Sequence, residues 1–74
     1  MSAPSISAAA WYHQLWTRAR CACYDQPLQA IAPAMGLSRN TLGAWLAGTY
    51  HAVTWETLQR IEAWVEAWEQ AHGV

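Results

Sequence analysis

Apolar side chains recur every three or four positions in the first and last thirds of the chain, which is the spacing of an amphipathic helix. The first stretch predicts a helix over residues 6–23, which Ser5 or Ser7 would cap. The last stretch predicts a helix over residues 55–71, begun by Thr54. Charged and amide side chains occupy the outer positions of this last helix, and its apolar stripe consists of Leu58, Ile61, Trp64, Val65 and Trp68.

Start and stop signals between these stretches predict two shorter helices. For the second helix, Asp25 stands two residues before Pro27, which indicates a capped start. Gly36 indicates the end of this helix, which we predict over residues 27–35. Pro33 lies inside it and has no N–H to donate, so it kinks the helix or costs about 3 kcal/mol.

The third helix is predicted over residues 39–47, with Ser38 as its N-cap and Gly48 at its end. No strand pattern, internal repeat or low-complexity segment interrupts the series. The sequence therefore predicts a single all-α domain, a small four-helix domain over residues 6–74 that follows a disordered N-terminus over residues 1–5. The residues predicted to be buried are Trp11, Leu15, Ile31, Ala32, Leu37, Leu42, Trp45, Leu58, Ile61 and Val65.

The chain has six tryptophans in 74 residues. Each indole can bury on the order of 200 Å², so the core is rich for a domain of this size. Such a small domain cannot enclose every tryptophan completely, and those at the edges of the predicted stripes are candidates for a partner surface. We expect a homodimer that uses the first or last helix through Trp16, Trp64 or Trp68, with a partly exposed core edge as the alternative explanation.

The net charge of −1 does not favour a protein that binds nucleic acid by bulk charge. The charges are unevenly distributed, however. Residues 1–51 contain three arginines and one aspartate and carry +2, whereas residues 52–74 contain one arginine and four glutamates and carry −3. The basic part of the chain is therefore the part that contains the two short helices.

Several other classes of function find no support in the sequence. No apolar run approaches the roughly 20 residues of a membrane span, and the first residues lack the basic residues of a secretory signal, so we expect a cytoplasmic protein without membrane contact. Cys21 and Cys23 would point about 200° apart on a helix and cannot share a metal ion. No nucleophile–base arrangement or glycine-rich phosphate loop occurs, so we expect no enzymatic activity, no cofactor and no metal.

Residues 28–48 have the arrangement of a helix-turn-helix unit, in which a turn containing glycine joins two short helices. Ala32 is small where the two helices would cross. Gly36 can adopt the positive φ that the turn needs. Leu37 and Leu42 would fill the angle between the helices.

This stretch resembles the lambda-repressor/Cro-like family. Residues 31–38 match the family's run of an apolar residue, Ala, three variable residues, Gly, an apolar residue and Ser. Residues 41–48 match its recognition-helix segment, including the aromatic residue and the closing glycine, and residues 57–61 resemble its next core helix. The resemblance covers residues 25–65 and implies a phage-type transcriptional regulator in a bacterial host cell. The unbroken last helix is similar to that of a Mu-type variant, whereas Leu28 stands where the family usually has a glutamine.

The resemblance implies that residues 39–47 are a recognition helix that enters the major groove of DNA. Arg39 and Asn40 in its first turn have the chemistry to pair with guanine and adenine, respectively. Small side chains on the outer face would permit close approach, and the loop after the helix is a common place for phosphate contacts. The predicted DNA-binding residues are Ser38, Arg39, Asn40, Thr41, Gly43, Ala44, Tyr50 and His51.

The alternative is a helix-turn-helix fold that binds protein instead of DNA. The chain has only four basic residues, and each phosphate that a protein neutralises adds to its DNA affinity. An acidic last helix and a surplus of tryptophan would also suit a phage-encoded inhibitor of a host RNA polymerase or defence complex. The sequence leaves both functions open.

Overall fold

A computed structural model describes residues 8–73 of the chain. No strand occurs among these residues, which confirms the predicted small all-α domain. The third and fourth helices end within one residue of their predicted ends, whereas residues 1–5 and the predicted caps Ser5 and Ser7 lie outside the described residues. The elements are α1 (Ala8–Cys23), α2 (Leu28–Ile31), a short 3₁₀ helix (Ala32–Met35), α3 (Arg39–Leu46) and α4 (Trp55–His72).

Three helix ends form as their local signals predict. Ser38 Oγ accepts a hydrogen bond from the Thr41 amide at 3.1 Å, and Thr54 Oγ1 accepts one from the Thr57 amide at 3.2 Å. Each cap satisfies an amide that has no carbonyl partner in the first turn of its helix. Gly36 ends the 3₁₀ helix in the left-handed conformation, with φ 73°, so the chain turns there toward α3.

The predicted continuous helix over residues 27–35 is wrong, because the α-helical part ends at Ile31 and the chain continues as the 3₁₀ helix. Pro33 lies in this 3₁₀ segment and has no amide for an α-helical hydrogen bond, which explains the change of helix type. The predicted capping role of Asp25 is also wrong. Pro27 holds the N-cap position with extended backbone, and no side chain caps α2.

The first and last helices pack side by side and run parallel. Trp11 Nε1 donates to Glu62 Oε2 at 3.2 Å, and the Arg18 guanidinium donates to both carboxylate oxygens of Glu69, at 3.0 and 2.6 Å. Both pairs join residues 51 positions apart, so the contact repeats after seven residues, as in helices that pack in a heptad register. On the same helix, Tyr12 and Trp16 make hydrogen bonds to α3.

The core lies where α1, α3, α4 and the 3₁₀ helix meet, and eight of the ten residues predicted to be buried are buried. The other two, Trp11 and Leu37, are partly buried and pack against the same core. Trp11 packs across Trp55 near the start of α4, and Leu37 lies in the turn before α3, so each is covered only in part. Met35 is fully buried although its position suggested no role in the core. The confirmed residues are Leu15, Ile31, Ala32, Leu42, Trp45, Leu58, Ile61 and Val65.

Candidate nucleic-acid interface

One face of α3 is fixed to the rest of the domain. Leu42 is 0% exposed and Trp45 is 1% exposed, and the two lie on the same side of the helix. Nε1 of Trp45 donates to the Tyr12 hydroxyl, and Nε1 of Trp16 donates to the Trp45 carbonyl oxygen at 2.9 Å. Two hydrogen bonds between α1 and α3 therefore hold α3 in place, and the opposite side of α3 faces outward.

The first turn of α3 presents two free polar side chains. Arg39 and Asn40 are exposed, and neither side chain has a hydrogen-bond or ion-pair partner within residues 8–73. The hydroxyl groups on either side, those of Ser38 and Thr41, bond to each other instead. Ser38 Oγ donates to Thr41 Oγ1 at 2.8 Å and also accepts a hydrogen bond from the Thr41 amide. Ser38 and Thr41 thus form the helix start, and Arg39 and Asn40 remain available to a ligand.

The two small residues of α3 have contacts that the sequence did not indicate. A Cβ atom built on Gly43 would lie 3.4 Å from Cδ1 of Leu28, so this glycine faces the start of α2 and permits close packing of the two helices. Ala44 is half-buried, and its carbonyl oxygen accepts hydrogen bonds from the amide and hydroxyl of Thr49, at 2.9 and 3.1 Å. Internal packing therefore accounts for the small side chain at Gly43.

The loop after α3 begins at Gly48, whose φ of 83° turns the chain away from the helix. Tyr50 is half-buried, and its hydroxyl donates to the Ala52 carbonyl oxygen at 3.3 Å. His51 is exposed and lines a surface hollow together with Trp16 of α1. Of the two loop residues predicted to contact DNA, His51 is the more accessible.

Two arginines that the sequence analysis did not assign lie next to the helix-turn-helix unit. Arg20 of α1 lines a hollow with Leu28 from the start of α2 and Leu46 from the end of α3. The guanidinium of Arg60 lies over Gly36, where a Cβ atom would collide with its Nη1. The positive φ favours glycine at the turn, whereas the Arg60 guanidinium is the exposed end of a flexible side chain that can move aside. In the sequence, only the four-residue spacing from Trp16 to Arg20 could have indicated the position of Arg20. No local feature of the sequence indicated the position of Arg60.

Three of the four glutamates of α4 have a side-chain partner among residues 8–73. The hydrogen bonds between Arg18 and Glu69 raise the pKa of the Arg18 guanidinium and lower the pKa of the Glu69 carboxyl. Glu62 accepts the indole N–H of Trp11, and Glu56 lies 3.7 Å from Arg60. The glutamates of α4 thus face α1 or solvent, and none of the residues that line the hollows beside α3 is acidic within the described part of the chain.

The tryptophans proposed for a partner surface, Trp16, Trp64 and Trp68, are all half-buried. The most exposed large apolar side chains among residues 8–73 are instead Tyr24, at 87%, and Trp55, at 62%. Trp55 is the first residue of α4, and its ring packs against that of Trp11 with the ring centres 5.2 Å apart.

Clusters of metal-ligating side chains and membrane-spanning helices are both absent from residues 8–73. No group of three or more His, Cys, Asp or Glu side chains there could hold a metal ion, and none of the described helices is both long and apolar enough to traverse a bilayer. Comparisons of the chain with protein-family models, curated proteins and solved structures find no match.

Proposed function

We propose that this protein is a sequence-specific DNA-binding transcriptional regulator of the phage-repressor type, which places α3 in the major groove. The observation that carries the proposal is the first turn of α3, where Arg39 and Asn40 are exposed and unpaired within the described residues while Leu42 and Trp45 fix the opposite face in the core. An α-helix fits the major groove, and side chains of its first turn reach the base edges. The resemblance of residues 25–65 to the lambda-repressor/Cro-like family supports the same function.

The proposed roles of the two side chains follow from their donors and acceptors. Arg39 would donate two parallel hydrogen bonds to O6 and N7 of a guanine, and Asn40 would pair with N6 and N7 of an adenine. The capped start of α3 adds amides and a helix dipole that favour a nearby phosphate. Arg39 is therefore the residue on which sequence preference would chiefly depend.

With a net charge of −1 and only four basic residues, the affinity for non-specific DNA should be weak. Tight binding then requires two copies on two half-sites, so we propose a homodimer that binds an inverted repeat in the cytoplasm of a bacterial host. Trp16, Trp64 and Trp68 are the residues proposed for the dimer interface.

Selection of preferred sites from a random duplex library tests the proposal. The affinities of wild type and Arg39→Ala are then compared on the selected site and on random duplex. We expect Arg39→Ala to lose about 1–3 kcal/mol, roughly 5- to 150-fold, on the selected site and little on random DNA. Gln59→Ala, an exposed position on α4, is the control and should bind as wild type. Absence of binding and enrichment even at about 50 mM salt would refute a DNA-binding function.

A second candidate function is inhibition of a host protein complex, such as RNA polymerase or a defence system. The observation that favours it is the exposure of Tyr24 and Trp55, since large aromatic side chains are enriched where proteins bind one another. If wild type fails to bind DNA, capture of host proteins should depend on these two side chains, and Tyr24→Ala with Trp55→Ala should abolish it.

A further inference from the structure

A row of side chains along α1 lies beside the proposed DNA-reading helix. Trp16 and Arg20 lie four residues apart on one side of α1, and Tyr24, in the turn directly after the helix, lines the same surface hollow. These three side chains line one surface hollow together with Thr17 and Cys21. We call Trp16, Arg20 and Tyr24 the α1 stripe.

The α1 stripe is continuous with the end of α3. On one side, Trp16 lines a second hollow with Gly48 and His51, which follow α3. On the other side, Arg20 and Tyr24 line a third hollow with Gln26, Leu28, Leu46 and Ala47, which belong to the start of α2 and the end of α3. The α1 stripe thus extends the surface of α3 at the end opposite to Arg39.

Arg20 is the one residue of fixed charge among those that line the three hollows, and the exposed Asp25 stands between the lining residues Tyr24 and Gln26. None of the residues that line the three hollows is acidic within the described part of the chain. The guanidinium of Arg20 lies 4.7 Å from the centre of the Trp16 ring, which restricts its position while leaving its N–H donors exposed. Arg18 and Arg60 each have a glutamate partner, whereas Arg20 has no acidic partner among residues 8–73.

The length of α3 indicates which anion would lie there. Its eight residues span about 12 Å at about 1.5 Å per residue, which is close to the width of the major groove, about 12 Å. If Arg39 at one end contacts a base, the other end of α3 lies at the edge of the groove, where the phosphates of a strand run. The α1 stripe stands at that edge.

We infer that the α1 stripe binds the sugar-phosphate backbone of duplex DNA, with Arg20 as the phosphate contact and the Tyr24 hydroxyl as an additional donor. The inference rests on the proposed function, because it needs α3 in the major groove. It gives the two unpaired arginines different roles, in which Arg39 reads sequence and Arg20 holds the backbone whatever the sequence.

The test measures affinity against salt concentration, from about 50 to 200 mM, on the selected site and on random duplex. We expect Arg20→Gln to weaken both complexes by the same factor, about eightfold per bound protomer at 0.1 M salt, and to reduce the slope of log affinity against log salt by about 0.9 per bound protomer. Arg20→Lys keeps the charge and should retain the slope. Gln70→Glu, on the exposed side of α4, lowers the net charge by the same one unit as Arg20→Gln and should leave both affinities unchanged.

Three results would overturn the inference while leaving the proposed function in place. These are wild-type affinity and slope in Arg20→Gln, a loss on the selected site alone, and an equal loss in Gln70→Glu. Wild-type affinity and slope in Arg20→Gln would leave the α1 stripe to a protein partner. A loss on the selected site alone would make Arg20 a base contact. An equal loss in Gln70→Glu would show that the effect of Arg20→Gln comes from the net charge of the protein. A wild-type protein that binds neither duplex overturns the proposed function and this inference together. Unfolding curves of each variant confirm that a loss of affinity is not a loss of fold.

Discussion

Tyr12→Phe tests the link by which α1 positions α3. The substitution removes one hydroxyl group and keeps the ring, so its main effect is to remove the acceptor for Nε1 of Trp45. Trp45 is 1% exposed, and its indole N–H would then lie in the core without a protein partner. An unsatisfied buried donor costs about 1–3 kcal/mol, more than the net gain from an ordinary hydrogen bond.

This loss is large for a domain of 74 residues. At about 2.1 cal/mol/K per residue, its unfolding entropy near 60 °C is roughly 0.16 kcal/mol/K, so the melting temperature should fall by about 6–19 °C. At about 0.05–0.15 kcal/mol per residue, the whole domain is stable by only about 4–11 kcal/mol. Thermal and urea unfolding followed by circular dichroism would measure both quantities.

Tyr50→Phe is the matched control, because it deletes the same group where the hydroxyl donates to Ala52 across an exposed 3.3 Å bond. Its effect should stay within about 0.5 kcal/mol. If Tyr12→Phe were no more destabilising than Tyr50→Phe, water would be satisfying the Trp45 N–H as well as the Tyr12 hydroxyl does. The argument that this hydrogen bond helps position α3 would then be refuted.

Other predictions concern the core, its pH dependence and association. Leu42→Ala empties a fully enclosed site and should cost about 2–5 kcal/mol in urea unfolding; an unchanged melting temperature would contradict the buried position of Leu42. Burial raises the pKa of the Cys23 thiol from 9.0 to about 11, so the unfolded chain loses this proton first and the unfolding free energy should fall as pH rises through that range. The fall should be smaller in Cys23→Ala, and equal falls in both proteins would show that other groups cause it. Sedimentation should detect a dimer at high micromolar concentration that Trp64→Ala weakens, whereas a wild-type monomer would exclude the proposed homodimer.

Local features of the fold could be predicted from the sequence because their causes are local. The caps at Ser38 and Thr54 each need a hydroxyl and an amide only three residues away, and the turn at Gly36 needs one residue that tolerates a positive φ. The break in the second helix at Pro33 was also visible as a missing donor. The sequence did not indicate that the chain continues as a 3₁₀ helix after the break. That conformation depends on the packing of the residues after Pro33, among which Met35 is fully buried in the core.

Features that depend on several elements could not be predicted. Helical periodicity placed Trp11 on an apolar face, but its burial depends on how far α4 extends along α1. The first turn of α3 could be proposed as a site because Arg39 and Asn40 are adjacent in sequence. The hollow around Arg20 joins α1, α2 and α3, so its surroundings appear only after those helices have packed. The position of Arg60 over the turn at Gly36 is non-local in the same way.

The parallel pairing of α1 with α4 has a consequence for how this protein is made. The bonds from Trp11 to Glu62 and from Arg18 to Glu69 close loops of 51 residues, so they can form only after Glu62 and Glu69 have been synthesised. Until α4 leaves the ribosome, the α1 surface that it covers stays open to solvent and to chaperones. A chain that stops before Glu62 would therefore contain all of α3, including Arg39, and would have no folded domain on which to present it.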